Sequence, residues 1–174
     1  MTQKKTTHVH IFVYGNERNG LMSQSLLRPH EDQRVKAEAV GRLYARTVSF
    51  PAAVFDSKAQ THVVGDLVQI TTDGLPAALR KLALAHGYTE KDDPQNLFEL
   101  RQINVRLLGE GNNEVTGAYV FEAADEDRFR DSQLVEGGDW LAYRESLSAQ
   151  VDRAADPYRI SGLVARCVAS ASAG

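Results

Sequence analysis

Three side chains in this sequence are of types that move protons. His86 closes an apolar stripe of Leu75, Leu79 and Leu82. That spacing predicts a helix from Leu75 with the imidazole at its C-terminal end, and Gly87 stands at the usual stop position. An imidazole with an ordinary pKa of about 6.5 accepts and returns a proton at neutral pH. The plain alternative is a packed or capping histidine, whose cationic form a helix C-terminus favours. Glu99 shares a strand face with Arg101, two residues on. It is either a second base reaching in from another wall or half of a weak ion pair with Arg101. Glu17 lies in the turn Asn16–Gly20 and is a third carboxylate, or a solvated turn residue.

Other groupings carry less chemistry. His8-x-His10 puts two imidazoles on one strand face, but no acidic or cysteine partner is spaced with them, so no metal is expected. Ser23, Ser25 and Ser49 have no nucleophile-elbow context. The glycine-bearing loop Gly15–Gly20 does not follow a phosphate-loop pattern. With no metal, nucleotide or flavin signature, no cofactor is expected. Cys167 has no partner for an internal disulfide and no local base, which fits a reducing cytoplasm.

The elements that must position these residues alternate between strands and turns. His8–Tyr14 reads as a strand ending at Gly15, and Leu21–Leu27 as a short helix stopped before Pro29. Val35–Val48 is a strand pair or one long strand, Phe50–Phe55 follows a proline break, and His62–Thr71 is a further strand. Leu75–His86 is the clearest helix. Leu97–Leu108 and Val115–Ala123 are strands joined by the turn Gly109–Asn113, with Leu97, Glu99, Arg101, Ile103 and Val105 expected on one face. Gly137-Gly138-Asp139-Trp140 opens a last helix that ends near Pro157, and Trp140 is a packing anchor. The turns are too short for repeated crossovers of parallel strands. An α+β fold follows: a small mixed, mainly antiparallel β-barrel with flanking helices.

At 174 residues the chain is long enough for one domain with a core and a pocket. The expected organisation is a flexible N-terminus (1–7), one domain (8–160) and a fraying Ala/Ser-rich tail (161–174). The net charge of -3, with Arg and Lys scattered among acids, argues against nucleic acid as a partner. No apolar run reaches the ~18 residues of a membrane span, and Met1–Thr7 leads into too short an apolar stretch for a signal peptide. The expected partner is a small-molecule substrate, and the expected location is the cytoplasm. Oligomeric state is not readable from these residues.

Seven segments in order give a resemblance. Val13-Tyr14-Gly15 with Gly20 resembles the strand and YG loop that open the gamma-glutamylcyclotransferase-like proteins. Val40-Gly41-Arg42-Leu43-Tyr44, followed by Phe50-Pro51-Ala52, resembles their next strand and its proline turn. Val64-Gly65-Asp66-Leu67-Val68 is similar to their V-x-G-E-L-Y strand, and Leu82–Tyr88 sits where they carry L-D-x-L-E-G-Y. Glu99-Leu100-Arg101 stands for Y-x-R, Ala118-Tyr119-Val120-Phe121 for A-x-V-Y, and Gly138-Asp139-Trp140-x-x-Tyr143 for the closing G-D-W-x-x-Y.

The resemblance covers roughly residues 9–145. It implies a β-barrel with one central cavity and a cyclisation, in which a γ-glutamyl amine's own α-amine attacks its γ-carbonyl and releases 5-oxoproline. It further implies that loop amides hold a substrate carboxylate or oxyanion, which marks Tyr14, Gly15, Asn16 and Gly20, with Arg101, as substrate-binding residues. The proton carrier is a glutamate at the helix end.

That position is His86 here. Asn16-Glu17 replaces the usual small hydroxyl residue and leucine, Glu99 replaces the tyrosine of Y-x-R, and Asp66 replaces a glutamate. Two readings follow. One is an enzyme cleaving a γ-glutamyl or related aminoacyl amine or amide, with His86 or Glu99 as the proton carrier. The alternative is an altered or inactive relative that binds a small metabolite or a partner in the cavity. Another histidine-suited reaction, such as amide hydrolysis, also stays open.

Overall fold

The computed structural model describes residues 7–155 except 48, 110 and 112, and for 152–155 the backbone alone. The expected N-terminal arm, apart from Thr7, and the tail with Cys167 lie outside the described residues, as does Pro157. Two compact units are distinguished, residues 1–140 and 141–174. In the second unit, the helix that starts at Trp140 runs on to Ala155.

Seven strands form the first unit: β1 (His8–Val13), β2 (Glu31–Thr47), β3 (Phe50–Phe55), β4 (His62–Thr71), β5 (Phe98–Leu107), β6 (Glu114–Ala123) and the short β7 (Gln133–Leu134). Five of them close a barrel in the order β2–β4–β1–β6–β5, with β5 returning to β2 through Ala37↔Leu107 and Glu38↔Arg106. Only β1 and β6 run parallel, meeting at Ile11↔Tyr119. The barrel is therefore mixed and mainly antiparallel, as expected.

The segment 31–47 is one strand of 17 residues rather than a pair. Its first half pairs with β4 and its second half with β3. Gly41 sits at the switch, where a Cβ would press on the Val54 carbonyl and lie 3.2 Å from Phe55 Cα. Pro51 lies inside β3 rather than before it, at the register pair Ala45↔Pro51; proline is tolerated there because β3 is an edge strand. Leu21–Leu27 forms a 3-10 turn at Met22–Leu26, and Pro29 falls within a second one, Arg28–His30, instead of following a helix.

Helix α1 (Leu75–His86) matches the expected span. Its apolar stripe buries Ala78 and Leu82 against Ile11, Val13, Val68, Ile70, Phe98 and Phe121 on the outer wall of the barrel. Gly87 ends it with φ 63°, a conformation that costs glycine little. The Tyr88 amide then donates to the Ala83 carbonyl at 2.9 Å. This stop leaves His86 at the last helical position, over β5 and β6.

β1 and β4 approach closely because residue 65 has no side chain. A Cβ on Gly65 would abut the Val13 carbonyl and lie 2.6 Å from Phe12 Cζ. Gly65→Ala is expected to lower unfolding stability by about 1–3 kcal/mol, the usual cost of overpacking. A urea unfolding midpoint equal to that of the native chain would refute this.

Candidate functional site

Strand alternation decides which side chains of β5 and β6 can meet α1. Phe98 pairs with Ala123 and Leu100 with Phe121, so these four share the face that α1 covers. Glu99 pairs with Glu122 and Arg101 with Val120, on the opposite face. His86 stacks on Phe121, with ring centroids 5.0 Å apart and planes at 15°, and meets the edge of Phe98 at 4.9 Å. Phe50 adds to the wall at 5.7 Å from Phe98, and Tyr88 at 5.6 Å from Phe121.

Opposite the imidazole stands Glu17. Its Oε1 lies 3.5 Å from His86 Nε2, and both side chains are largely shielded. Burial holds the His86 pKa below its ordinary value of 6.5, and the Glu17 charge pulls partly the other way. Burial therefore favours the neutral form of the imidazole. A proton added to it would make a cation facing a carboxylate.

Glu17 is held by its loop. The Arg18 and Leu21 amides donate to the Gly15 and Arg18 carbonyls at 3.2 and 3.1 Å. The Asn19 amide donates to Asp66 Oδ2 at 2.8 Å, and the Gly20 amide to Gln24 Oε1 at 3.2 Å. The amides of Gly15, Asn16 and Glu17 take no part in these loop bonds. The Glu17 carboxylate folds back toward residue 15: its Oε2 is 3.2 Å from where a Cβ on Gly15 would stand. That Cβ would also lie 2.9 Å from Pro51 Cγ, so only glycine fits at residue 15.

A buried charge network anchors this loop to β4 and β2. Arg18, almost fully buried, donates from Nη1 to Asp139 Oδ1 at 2.6 Å, and its Nε lies 3.6 Å from Asp66 Oδ1. Arg34 donates to Asp66 Oδ2 at 3.2 Å, to the Glu17 carbonyl at 2.9 Å, and to both Glu31 oxygens.

The residues expected from sequence divide into three groups. His86 and Gly15 come together with Glu17. Tyr14 and the Asn16 side chain serve the scaffold: the Tyr14 hydroxyl donates to the Phe121 carbonyl at 2.8 Å and accepts from the Ala53 amide at 3.3 Å. Full burial raises the Tyr14 pKa far above its ordinary value. Asn16 Nδ2 donates to the Ser49 carbonyl at 2.9 Å, and its Oδ1 accepts from Trp140 Nε1 at 3.1 Å. Trp140 is fully buried, in keeping with a packing anchor.

Glu99, Arg101 and Gly20 are not gathered at the imidazole. Glu99 accepts from Asn96 Nδ2 at 3.0 Å and so braces the loop before β5. The expected Glu99–Arg101 pair is replaced by Arg101 with Glu122, at 3.2 Å. A bulge between Ile103 and Val105 also ends the expected single-face alternation of β5. Gly20 adopts φ 85°, and its amide closes the loop on Gln24. A half-open groove of about 570 Å³ lies between the end of β3 and β5, lined by Glu38, Phe55, Asp56, His62, Gln102 and Arg106 among others, and includes neither His86 nor Glu17.

Glu17 is the residue whose place sequence reasoning weighed least. Its signal was its departure from the leucine usual after the YG loop, read as a solvated turn position. Burial of the neighbouring Arg18, which pulls the loop inward, was not readable from local composition.

Tyr14→Phe leaves the Phe121 carbonyl and Ala53 amide without this partner in a dry region. A loss of about 1–3 kcal/mol in unfolding free energy is expected, and an unchanged denaturant midpoint would refute it. The His86 pKa is depressed in the fold, so the unfolded chain binds the proton more readily. The stability that follows is complete above the ordinary value of 6.5 and is lost as pH falls through the lower folded value. Denaturation at pH 8 and pH 5 should show a decline that His86→Gln makes shallower; equal slopes in both proteins would contradict the assignment.

No curated protein matches the sequence. The fold is similar to YkqA of Bacillus subtilis, with TM-score 0.56 and 17% identity over 82% of this chain and 43% of that one. The chain thus spans less than half of YkqA. It is also similar to an AIG2-like protein of Mus musculus (TM-score 0.55, 19% identity, 76% of this chain and 88% of that one). A third is c4763, a uropathogenic E. coli-specific protein (TM-score 0.52, 18% identity, 79% and 95% of the two chains). The family model described as gamma-glutamyl cyclotransferase, AIG2-like, matches residues 11–142, most of the barrel and the loop that carries Glu17. On that match the chain belongs to the gamma-glutamyl cyclotransferase, AIG2-like family.

Proposed function

We propose that this protein is a cyclotransferase that cleaves a γ-glutamyl or related aminoacyl amine or amide by intramolecular cyclisation, with His86 as the proton carrier. The observation that carries this reading is the shielded imidazole 3.5 Å from Glu17, a carboxylate that itself lies against residue 15 of the loop. Family membership supports the reaction class.

The substrate's unprotonated amine attacks its own acyl carbon, and the loop amides offset charge on the carbonyl oxygen. The amine proton passes to His86, whose new positive charge faces Glu17. As the bond from the acyl carbon to the leaving nitrogen breaks, His86 returns that proton to the leaving amine. A lactam and a free amine result. Holding amine and carbonyl within one bound molecule supplies much of the rate. Imidazole suits the site because its neutral form loses less on desolvation than a carboxylate does. Glu99, on the other face of β5 and bonded to Asn96, is left to a bracing role.

With a panel of aminoacyl anilides, lactam release is expected from the native protein. His86→Gln should lower kcat/KM by about 10²–10⁴-fold, the range for removing a general acid–base group. The acid limb of the native pH profile should lie below 6.5, because the neutral imidazole is the active form and its pKa is depressed. This limb is separate from that of the substrate's own amine, near ~8. Full turnover by His86→Gln would exclude His86 as the carrier. A ligand that raises the melting temperature with no lactam from any anilide would instead favour a binding protein.

A further inference from the structure

Resting on the cyclotransferase reading, we infer that Glu17 sets the substrate class: a 4-aminoacyl amine whose α-carbon bears a neutral group or only hydrogen, rather than a free carboxylate. Three observations carry this. The first is placement. The Glu17 carboxylate is largely buried, and its Oε2 lies 3.2 Å from where a Cβ on Gly15 would stand. A ligand oxygen that reached the backbone at Gly15 would therefore sit next to Glu17.

The second observation is that, among the described residues, no lysine or arginine is paired with this carboxylate, whose ion-pair neighbour is His86. Burial favours the neutral form of that imidazole, 3.5 Å away. The two nearby guanidiniums are committed elsewhere: Arg18 to Asp139 and Asp66, and Arg34 to Asp66, Glu31 and the Glu17 carbonyl. Amide dipoles alone would have to hold a second carboxylate against a fixed one in a poorly solvated site, and like charges so placed are strongly disfavoured. The third is that Arg101, a substrate-binding residue by the resemblance, lies on the opposite face of β5 and pairs with Glu122.

The same charge favours the other end of the substrate. An α-ammonium arriving in its protonated form is drawn to Glu17, and loss of that proton to water gives the free amine that is the nucleophile. In the reaction the amine nitrogen bonds to the acyl carbon, the bond from that carbon to the leaving nitrogen breaks, and the amine's proton ends on the released amine. With 4-aminobutanoyl anilide the products are 2-pyrrolidinone and aniline, and no other reactant is required.

The test compares three anilides in the native protein: γ-glutamyl anilide, its α-carboxamide, and 4-aminobutanoyl anilide, each followed by lactam release. The native protein should prefer the two neutral substrates by at least tenfold in kcat/KM. Glu17→Leu and Glu17→Gln, the second preserving shape, should each shift the ratio at least tenfold toward the free carboxylate. Any effect of either change on His86 acts on all three substrates and cancels in the ratio. A native preference for γ-glutamyl anilide overturns the inference, as does a ratio unmoved in a folded Glu17 variant. Lactam from none of the three refutes the cyclotransferase reading, and the inference with it; lactam from all three in an unmoved ratio refutes the inference alone.

Discussion

The loop after β1 is held by one buried carboxylate. Asp66, on β4, accepts the Asn19 amide and meets both Arg18 and Arg34, while Arg18 also reaches Asp139 from the segment before the last helix. Charges removed from water are costly unless paired and hydrogen-bonded. These groups find their partners only when the 16–20 loop lies flat on the barrel rim. That constraint turns Glu17 inward, although local composition suggests a solvated turn. Arg34 adds a bond to the Glu17 carbonyl, so the main chain under the carboxylate is held from the barrel side as well.

The opposing wall is built by packing. Helix α1 docks through Ala78 and Leu82, and its glycine stop fixes where the helix ends. The last helical side chain then lies flat on Phe121 and against Phe98. Aromatic neighbours exclude water from the imidazole, and the loss of hydration favours its neutral form. Site chemistry thus follows from two different forces: buried ion pairs position the carboxylate, and apolar packing biases the protonation state of the histidine. Tyr14 ties the two together, because its hydroxyl links the end of β1 to the Phe121 carbonyl and the Ala53 amide.

Much of the fold was legible in the residues. The spans of β4 and α1 matched their expected limits, and short turns between strands indicated a mainly antiparallel barrel. Where expectation and structure differ, the reason lies in pairing. The 31–47 segment stays one strand because β4 and β3 take successive halves of it. Glu99 and Arg101 do share a face, but the cross-strand neighbour Glu122 takes the guanidinium, and Asn96 from the preceding loop takes the carboxylate.

The sequence by itself determined the element types, the helix stop at Gly87 and the presence of an imidazole at the helix end, because these depend on spacing and local backbone preference. Tertiary structure alone decided that Glu17 rather than Glu99 faces His86, that the Tyr14 hydroxyl belongs to the scaffold, and that burial favours the neutral imidazole. Each of these depends on which face of a strand is covered and on how much water remains beside a charge. Both are set by contacts between segments far apart in the chain, such as Arg18 with Asp139 and His86 with Phe121.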